Sequence, residues 1–212
     1  MGLGIIRKPF KYTYRNASLI IIAVNVGVYL VTLLFPGLVY ILGLNPVLFW
    51  GEGMFWQPFT YMFVHGGFFH VFFNMLGLLF FGIAAERAMG TREFTLMYLL
   101  CGFLSGLISL LVYTLSGMFH VLLIGASGAV YSILLAYAVI FPRSQIYVWG
   151  ILPLPAPVLV VVYALLELGS QFTGAGAGVA HLTHLAGFAV AWIYFIVRMG
   201  VHPLKVWKDA YR

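Results

Sequence analysis

From Arg15 to Arg87 the chain carries no lysine or arginine, and the same gap recurs from Arg92 to Arg143 and from Arg143 to Arg198. Long apolar runs fill these gaps. Of 212 residues, 63% are hydrophobic and only 8% are charged, with a mean hydropathy of +1.05. Soluble domains carry about 25% charged residues. A chain this apolar has too little polar surface to face water, which leaves the bilayer as its solvent. The length allows six spans of about 20 residues, seven at most, and leaves no room for a separate soluble domain.

The basic residues set the direction of the spans. They fall into four groups: Arg7, Lys8, Lys11 and Arg15; Arg87 and Arg92; Arg143; and Arg198, Lys205, Lys208 and Arg212. With six spans and the N-terminus inside, every one of them is cytoplasmic, as the positive-inside rule requires. Five or seven spans would scatter them over both faces. The expectation is a multi-pass protein of the cell membrane with both termini cytoplasmic. The net charge of +6 then reports topology and attraction to anionic membrane lipids; nucleic acid is not an expected partner.

The first span is expected at Ser18–Phe35, after a basic N-terminus over residues 1–17. A basic prefix before an apolar run resembles a signal peptide, but Pro36-Gly37-Leu38-Val39-Tyr40 offers no small-residue cleavage site, so the span is read as retained. An outer loop rich in Trp, Phe, Pro and Gly occupies 36–66, suited to the headgroup level. Spans two and three are expected at Gly67–Ala85 and Phe94–Tyr113, followed by an extended return segment over 114–126. Span four opens at Ser127 and stops by Phe141, because Pro142 has no amide to continue a helix. About 15 residues rise only about 22 Å, against a hydrocarbon core of about 30 Å. Span five is expected at Pro155–Phe172, entered through Pro153-Leu154-Pro155-Ala156-Pro157. A Gly/Ala turn over Thr173–Gly178 leads to span six at Val179–Arg198, and a basic tail over 200–212 closes the chain. The lone Cys101 excludes an intramolecular disulfide and reads as a small core side chain.

Polar groups are costly inside a bilayer, so those within the spans are the first candidates for function. Span two begins His65-Gly-Gly-Phe-Phe-His70-Val-Phe-Phe-Asn74, with His70 and Asn74 on one face. Span four opens Gly125-Ala126-Ser127-Gly128-Ala129-Val130-Tyr131, and span six contains His181-Leu-Thr-His184-Leu-Ala-Gly187. Spans two, four and six all start outside in this topology. Asn74 and His184 then lie roughly 8–10 Å below the outer surface. The short fourth span, flush at its inner end, sinks Ser127 to a similar depth. A serine and a histidine at one level suggest a nucleophile and its general base. The backbone amide of Ser127, the Asn74 amide and His70 are placed to receive an oxyanion. The five acids are Glu52, Glu86, Glu93, Glu167 and Asp209, and none is expected to complete a triad, so the mechanism reads as a Ser–His dyad.

These residues together resemble the rhomboid proteases. Gly125-Ala-Ser127-Gly128 is similar to their Gly-x-Ser-Gly motif, His65 to Asn74 to their His-x4-His-x3-Asn, and Ala-x-x-His184-Leu-x-Gly187 to their final-span histidine motif. Trp56-Gln57-Pro58-Phe59 and Glu86-Arg87-x-x-Gly90 resemble the lead-in to span two and the turn after it. The resemblance implies an all-α six-helix membrane bundle over residues 18–199 with a short, buried-start fourth helix. It implies Ser127 as nucleophile and His184 as base. His70 and Asn74 would line the oxyanion hole with Gly125 and Gly128 beside them, Tyr131 would pack under His184, and His65 would brace the outer loop. The implied activity is cleavage of single-pass membrane proteins in or beside their transmembrane helix, with water as co-substrate and neither metal nor cofactor. Two positions depart from the pattern: Gln57 stands where arginine is common, and Ala191 where a second zipper glycine is common.

Each motif alone has a plainer reading. Ala129 breaks the Gly-x-Ser-x-Gly elbow of soluble hydrolases, and small residues on membrane helices ordinarily serve packing. Lone histidines ordinarily satisfy hydrogen bonds, and His181 is read as structural. The runner-up is a transition-metal site or a transporter, with His65, His70, His181 and His184 near one level and Glu167 nearby. It leaves Ser127 and Asn74 idle. An inactive rhomboid-like binding protein would not need both Ser127 and His184.

Overall fold

The computed structural model describes residues 7–148, 150–173 and 179–212, so the expected turn after Thr173 lies outside the described residues. Helix α1 (Ala17–Leu34) is followed by three short helices, α2 (Leu38–Leu42), α3 (Pro46–Gly51) and α4 (Gln57–Thr60), and a tight turn at Tyr61–Phe63. Helix α5 (Phe68–Gly77) runs through a widened π-helical stretch, Leu78–Gly82, into α6 (Ile83–Met89). Gly90, at φ +85°, turns the chain into α7 (Thr91–Leu115). Helix α8 (Ser127–Ile140), an antiparallel hairpin of β1 (Gln145–Val148) and β2 (Leu152–Pro155), α9 (Ala156–Thr173), α10 (Val179–Tyr194) with a π-helical end at Phe195–Met199, and α11 (Pro203–Ala210) complete the order.

Four of these helices, Ala17–Leu34, Phe68–Met89, Thr91–Leu115 and His181–Met199, are long and apolar enough to cross a membrane. Two further apolar helices, Ser127–Ile140 and Ala156–Gln171, are shorter. Helix α8 is the centre. It packs against α7 and α10 and also touches α5, α6, α9 and α11. Nine of its fourteen residues are buried, among them Ile133, Leu135 and Ala136. A helix apolar on all sides suits that position. Helix α1 is peripheral: it buries Ile21 and Asn25 while Leu19, Ile20, Leu30 and Leu33 face outward as an apolar surface that suits lipid.

Three acids lock the frame. Glu86, fully buried, accepts from the amides of Ala17 and Ser18 at 2.7 and 2.8 Å, from the Ser18 hydroxyl at 2.8 Å and from Thr91 at 2.6 Å. It thereby caps the amides that open α1, where a carboxylate also complements the helix dipole. Glu93 takes Arg198 through two nitrogens, Nε at 2.9 Å and Nη2 at 2.7 Å, and also accepts from the Tyr194 hydroxyl. Arg198 reaches on to the Lys8 carbonyl, Arg7 binds the carbonyls of Ile196 and Val197, and Arg143 binds that of Ala210. The basic groups separated in sequence therefore gather at one end of the bundle. The third acid, Glu167, belongs to the site.

Two features went unread in the sequence. The proline-rich approach to span five is not a plain lead-in: Pro153 pairs opposite Tyr147 and Pro155 opposite Gln145 in the hairpin, which amends the all-helical expectation. The prolines lack the amide that would carry a helix backward from α9. The basic tail is not a loose extension either, since Trp207 of α11 is 9% exposed and donates to the Ala138 carbonyl at 3.0 Å.

Candidate active site

The outer loop is seated on α7. At Gly102 a Cβ would come within 2.6 Å of Met62, and at Gly106 within 2.5 Å of the Tyr61 ring. Tyr61 and Met62 fill these notches, and the Tyr61 hydroxyl donates to the Gly102 carbonyl at 2.7 Å. Gln57, fully buried, receives the Asn45 amide at 3.1 Å and donates to the Tyr40 carbonyl at 3.0 Å. The neutral amide at this position thus ties two turns of the loop together. The loop in turn holds the segment that leads into α8. Leu44 and Leu123 exchange backbone bonds at 2.9 and 2.8 Å, and the Gly125 amide donates to the Tyr61 carbonyl at 3.0 Å. Gly125 sits at φ +118°, and a Cβ there would lie 2.5 Å from His70 Nε2. Glycine is required on both counts. The chain can pass this close to His70 and turn into α8 with Ser127 as its first residue.

Helix α10 meets α8 backbone to backbone. A Cβ on Gly187 would lie 2.2 Å from the Gly128 carbonyl oxygen, so only glycine permits the approach. The Ser132 hydroxyl bridges the same contact, 2.9 Å from the carbonyls of both Gly128 and Gly187. Ser127 adjoins Gly128, and His184 lies one turn before Gly187, so this contact fixes how closely the two side chains face each other. Both open into one cavity of about 780 Å³, lined also by His70 and Asn74. Aromatic side chains of α5 (Phe69, Phe73) and of the π-helical stretch after it (Phe80) wall it on one side and Leu159 and Tyr163 of α9 on the other, with the β1 residues Ile146 and Tyr147 contributing as well. The four polar side chains foreseen from the sequence are therefore brought together.

Two side-chain donors are available to a reacting oxygen here. The Gly66 amide donates to His70 Nδ1 over a long 3.4 Å, which leaves the proton on Nε2, the nitrogen turned toward Gly125. The Asn74 amide donates to the His70 carbonyl at 2.8 Å with one hydrogen and keeps its second. The Tyr131 ring stacks on His184 with centroids 4.2 Å apart and planes 12° from parallel. His65 is 2% exposed beneath the loop, edge-on to His70 at 5.0 Å.

The expectation that no acid is placed to complete a triad is amended by Glu167 of α9. Glu167 Oε1 lies 2.8 Å from His184 Nδ1 and accepts from the Tyr131 hydroxyl at 2.5 Å, while Oε2 lies 2.5 Å from His181 Nδ1. The helical phase explains the placement. Ala156, Leu159, Val160 and Glu167 share the buried face of α9, and Leu165, Leu166 and Leu168 are exposed. His181, read as structural, is the second imidazole on this carboxylate. Glu167, His181 and His184 also form the one cluster among the described residues whose ligand atoms, all within 4.8 Å of one another, lie close enough together to share a metal ion. His65 and His70 are not part of it.

Comparison with known proteins identifies the family. The family model for the rhomboid domain matches residues 52–200, a stretch that contains the cavity-lining Ser127, His184, His70 and Asn74. RHOMBOID-like protein 4 of Arabidopsis thaliana is 32% identical over 153 residues, covering 72% of this chain and 36% of that protein. Rhomboid-related protein 1 of Caenorhabditis elegans is 34% identical over 151 residues, covering 68% and 40%. Rhomboid protease GlpG of Salmonella paratyphi A is 29% identical over 140 residues, covering 64% and 45%. The chain spans less than half the length of each of these relatives. With its apolar helices, its cavity and a match over most of its length, this membrane protein belongs to the rhomboid family.

Proposed function

We propose that the chain is an intramembrane serine endopeptidase that cleaves single-pass transmembrane proteins within or next to their membrane helix. The observation that carries this reading is the Gly128–Gly187 contact, which turns Ser127 and His184 into one cavity beside His70 and Asn74. His184 Nε2 takes the Ser127 hydroxyl proton as Oγ attacks the peptide carbonyl. The oxyanion receives hydrogen bonds from His70 Nε2–H, the free Asn74 hydrogen and the Ser127 backbone amide. Collapse breaks the C–N bond, and His184 gives its proton to the departing amine. Water then attacks the acyl-enzyme by the same route in reverse. Removing one such donor from a water-excluded site costs about 3 kcal/mol of transition-state stabilisation. Among the described residues no hydrogen bond joins Ser127 to His184. Such bonds are commonly loose before substrate binds and tighten in the reactive complex.

The domain reading places a basic cytoplasmic segment at 1–17, the six-span catalytic unit at 18–199 and a cytoplasmic tail at 200–212, in the cell membrane with the site opening outward. In that arrangement α8 and α9 serve as spans four and five, and the cavity between α5 and α9 takes the substrate. Helix N-termini at the site end add positive potential where the oxyanion forms.

The Glu167–His181–His184 cluster favours one rival, a metal-dependent activity. Cleavage of a transmembrane reporter separates the two. Ser127→Ala and His184→Ala are each expected to abolish cleavage with expression intact, and a chelator to leave it unchanged. Chelator-sensitive cleavage that survives Ser127→Ala would replace the protease reading with the metal site.

A further inference from the structure

We propose that Glu167 is a positioning residue that converts the Ser127–His184 pair into a Ser–His–Glu triad; the proposal rests on the protease reading above. The carboxylate lies on His184 Nδ1 at 2.8 Å, the nitrogen opposite the one that must face Ser127. Accepting the Nδ1 proton fixes the imidazole in the tautomer whose Nε2 lone pair is free toward the cavity. When Nε2 takes the Ser127 proton, the imidazolium that forms lies against a full negative charge. No proton passes to Glu167: the serine proton moves to Nε2, then to the leaving amine, and Nδ1 keeps its own throughout.

The carboxylate is itself held. Tyr131 donates to Oε1 at 2.5 Å, and His181 lies on Oε2 at 2.5 Å. Tyr131 also stacks on His184, so one side chain sets both the plane of the base and the place of its partner. Side-chain exposure is 10% for Glu167 and 14% for His184, an environment in which a charge contact is screened far less than at a surface. Direct hydrogen bonding also fits the distances better than a shared metal. Tetrahedral zinc with bonds of about 2.0 Å holds its ligand atoms roughly 3.3 Å apart, and both nitrogen–oxygen separations here are shorter. A carboxylate on a membrane helix that points inward while its leucine neighbours face out has the character of a functional group.

The test compares wild type, Glu167→Asp and Glu167→Gln, purified and lipid-reconstituted, for kcat and KM on a transmembrane substrate and for the rate of fluorophosphonate labelling of Ser127. Glutamine fills the same space but removes the charge and the demand for an Nδ1 proton. It is expected to lower kcat and labelling about 10²-fold or more, toward the roughly 10⁴-fold seen when a soluble triad loses its carboxylate, with KM within about twofold. Aspartate, shorter by one methylene, is expected to fall between wild type and Gln. A Gln variant with wild-type kcat and labelling overturns the proposal. Should Gln not fold, Asp against wild type decides: a kcat-selective loss supports the triad, and wild-type kcat overturns it. Wild-type protein that neither cleaves nor labels would instead overturn the protease reading itself.

Discussion

His65 shows how a single residue ties the site to its loop. It is 2% exposed with neither ring nitrogen hydrogen-bonded, and burial, with the nearby His70 adding to it, pushes its pKa from 6.5 down to about 4. The Phe63 backbone works weakly the other way. A buried neutral histidine whose folded pKa lies below its unfolded one contributes stability that is complete above about pH 6.5 and is lost as pH falls toward 4, because the unfolded chain takes up the proton first. Thermal melting in detergent is therefore expected to fall between pH 7 and pH 4.5, with a shallower fall in His65→Leu; equal pH slopes would contradict this. Glu167 is the residue the sequence reading set aside, yet its signal was present: it is the one acid inside span five, and its spacing from Leu159 and Val160 puts it on the inner face. What could not be read was the partner, because the approach of α9 to α10 is a tertiary event. Ser127, His184, His70 and Asn74, which line one cavity, stood out in the sequence as polar groups near the starts of three apolar runs.

At the scale of elements, glycine contacts decide the geometry. The Gly187 Cβ position is 2.2 Å from a backbone oxygen that has no rotamer in which to retreat. Gly187→Ala is expected to force α8 and α10 apart by a fraction of an ångström or more, lowering cleavage about 10²-fold, since small misplacements of that order cost as much in other enzymes. Thermal stability should drop by roughly 1–3 kcal/mol; wild-type activity in this variant would show that the contact does not set the Ser127–His184 distance. Gly106→Ala is expected to loosen the loop instead, because it displaces the Tyr61 ring, and limited proteolysis of the 36–66 segment reads that directly. Helix boundaries were legible to within a few residues from charge and proline. The β1–β2 hairpin and α11 were not. A proline-rich approach reads equally well as a helix lead-in, and one short amphipathic helix gives little periodicity until Trp207 finds Ala138.

For the whole molecule, the four basic groups that alternate with apolar runs are gathered at one end by Glu93–Arg198, Arg7 and Arg143, away from the Ser127 cavity. The sparseness of lysine and arginine marks this end in the sequence, whereas the ion pair and the arginine–carbonyl bonds that close it join residues 67 to 190 positions apart and give no local pattern. Cys101 is buried, so single cysteines placed at the exposed Glu52 and Lys205 report sidedness cleanly in intact cells. An impermeant maleimide is expected to label Glu52→Cys from outside and Lys205→Cys only after permeabilisation; both labelled from one side would overturn the six-span orientation. The central claim is that Ser127 is made nucleophilic by His184 in a membrane-embedded cavity. Peptide mapping of the purified protein after fluorophosphonate treatment tests it most directly. An adduct on Ser127 that disappears in His184→Ala is the predicted result, and an unmodified Ser127, or labelling that persists without His184, would contradict it.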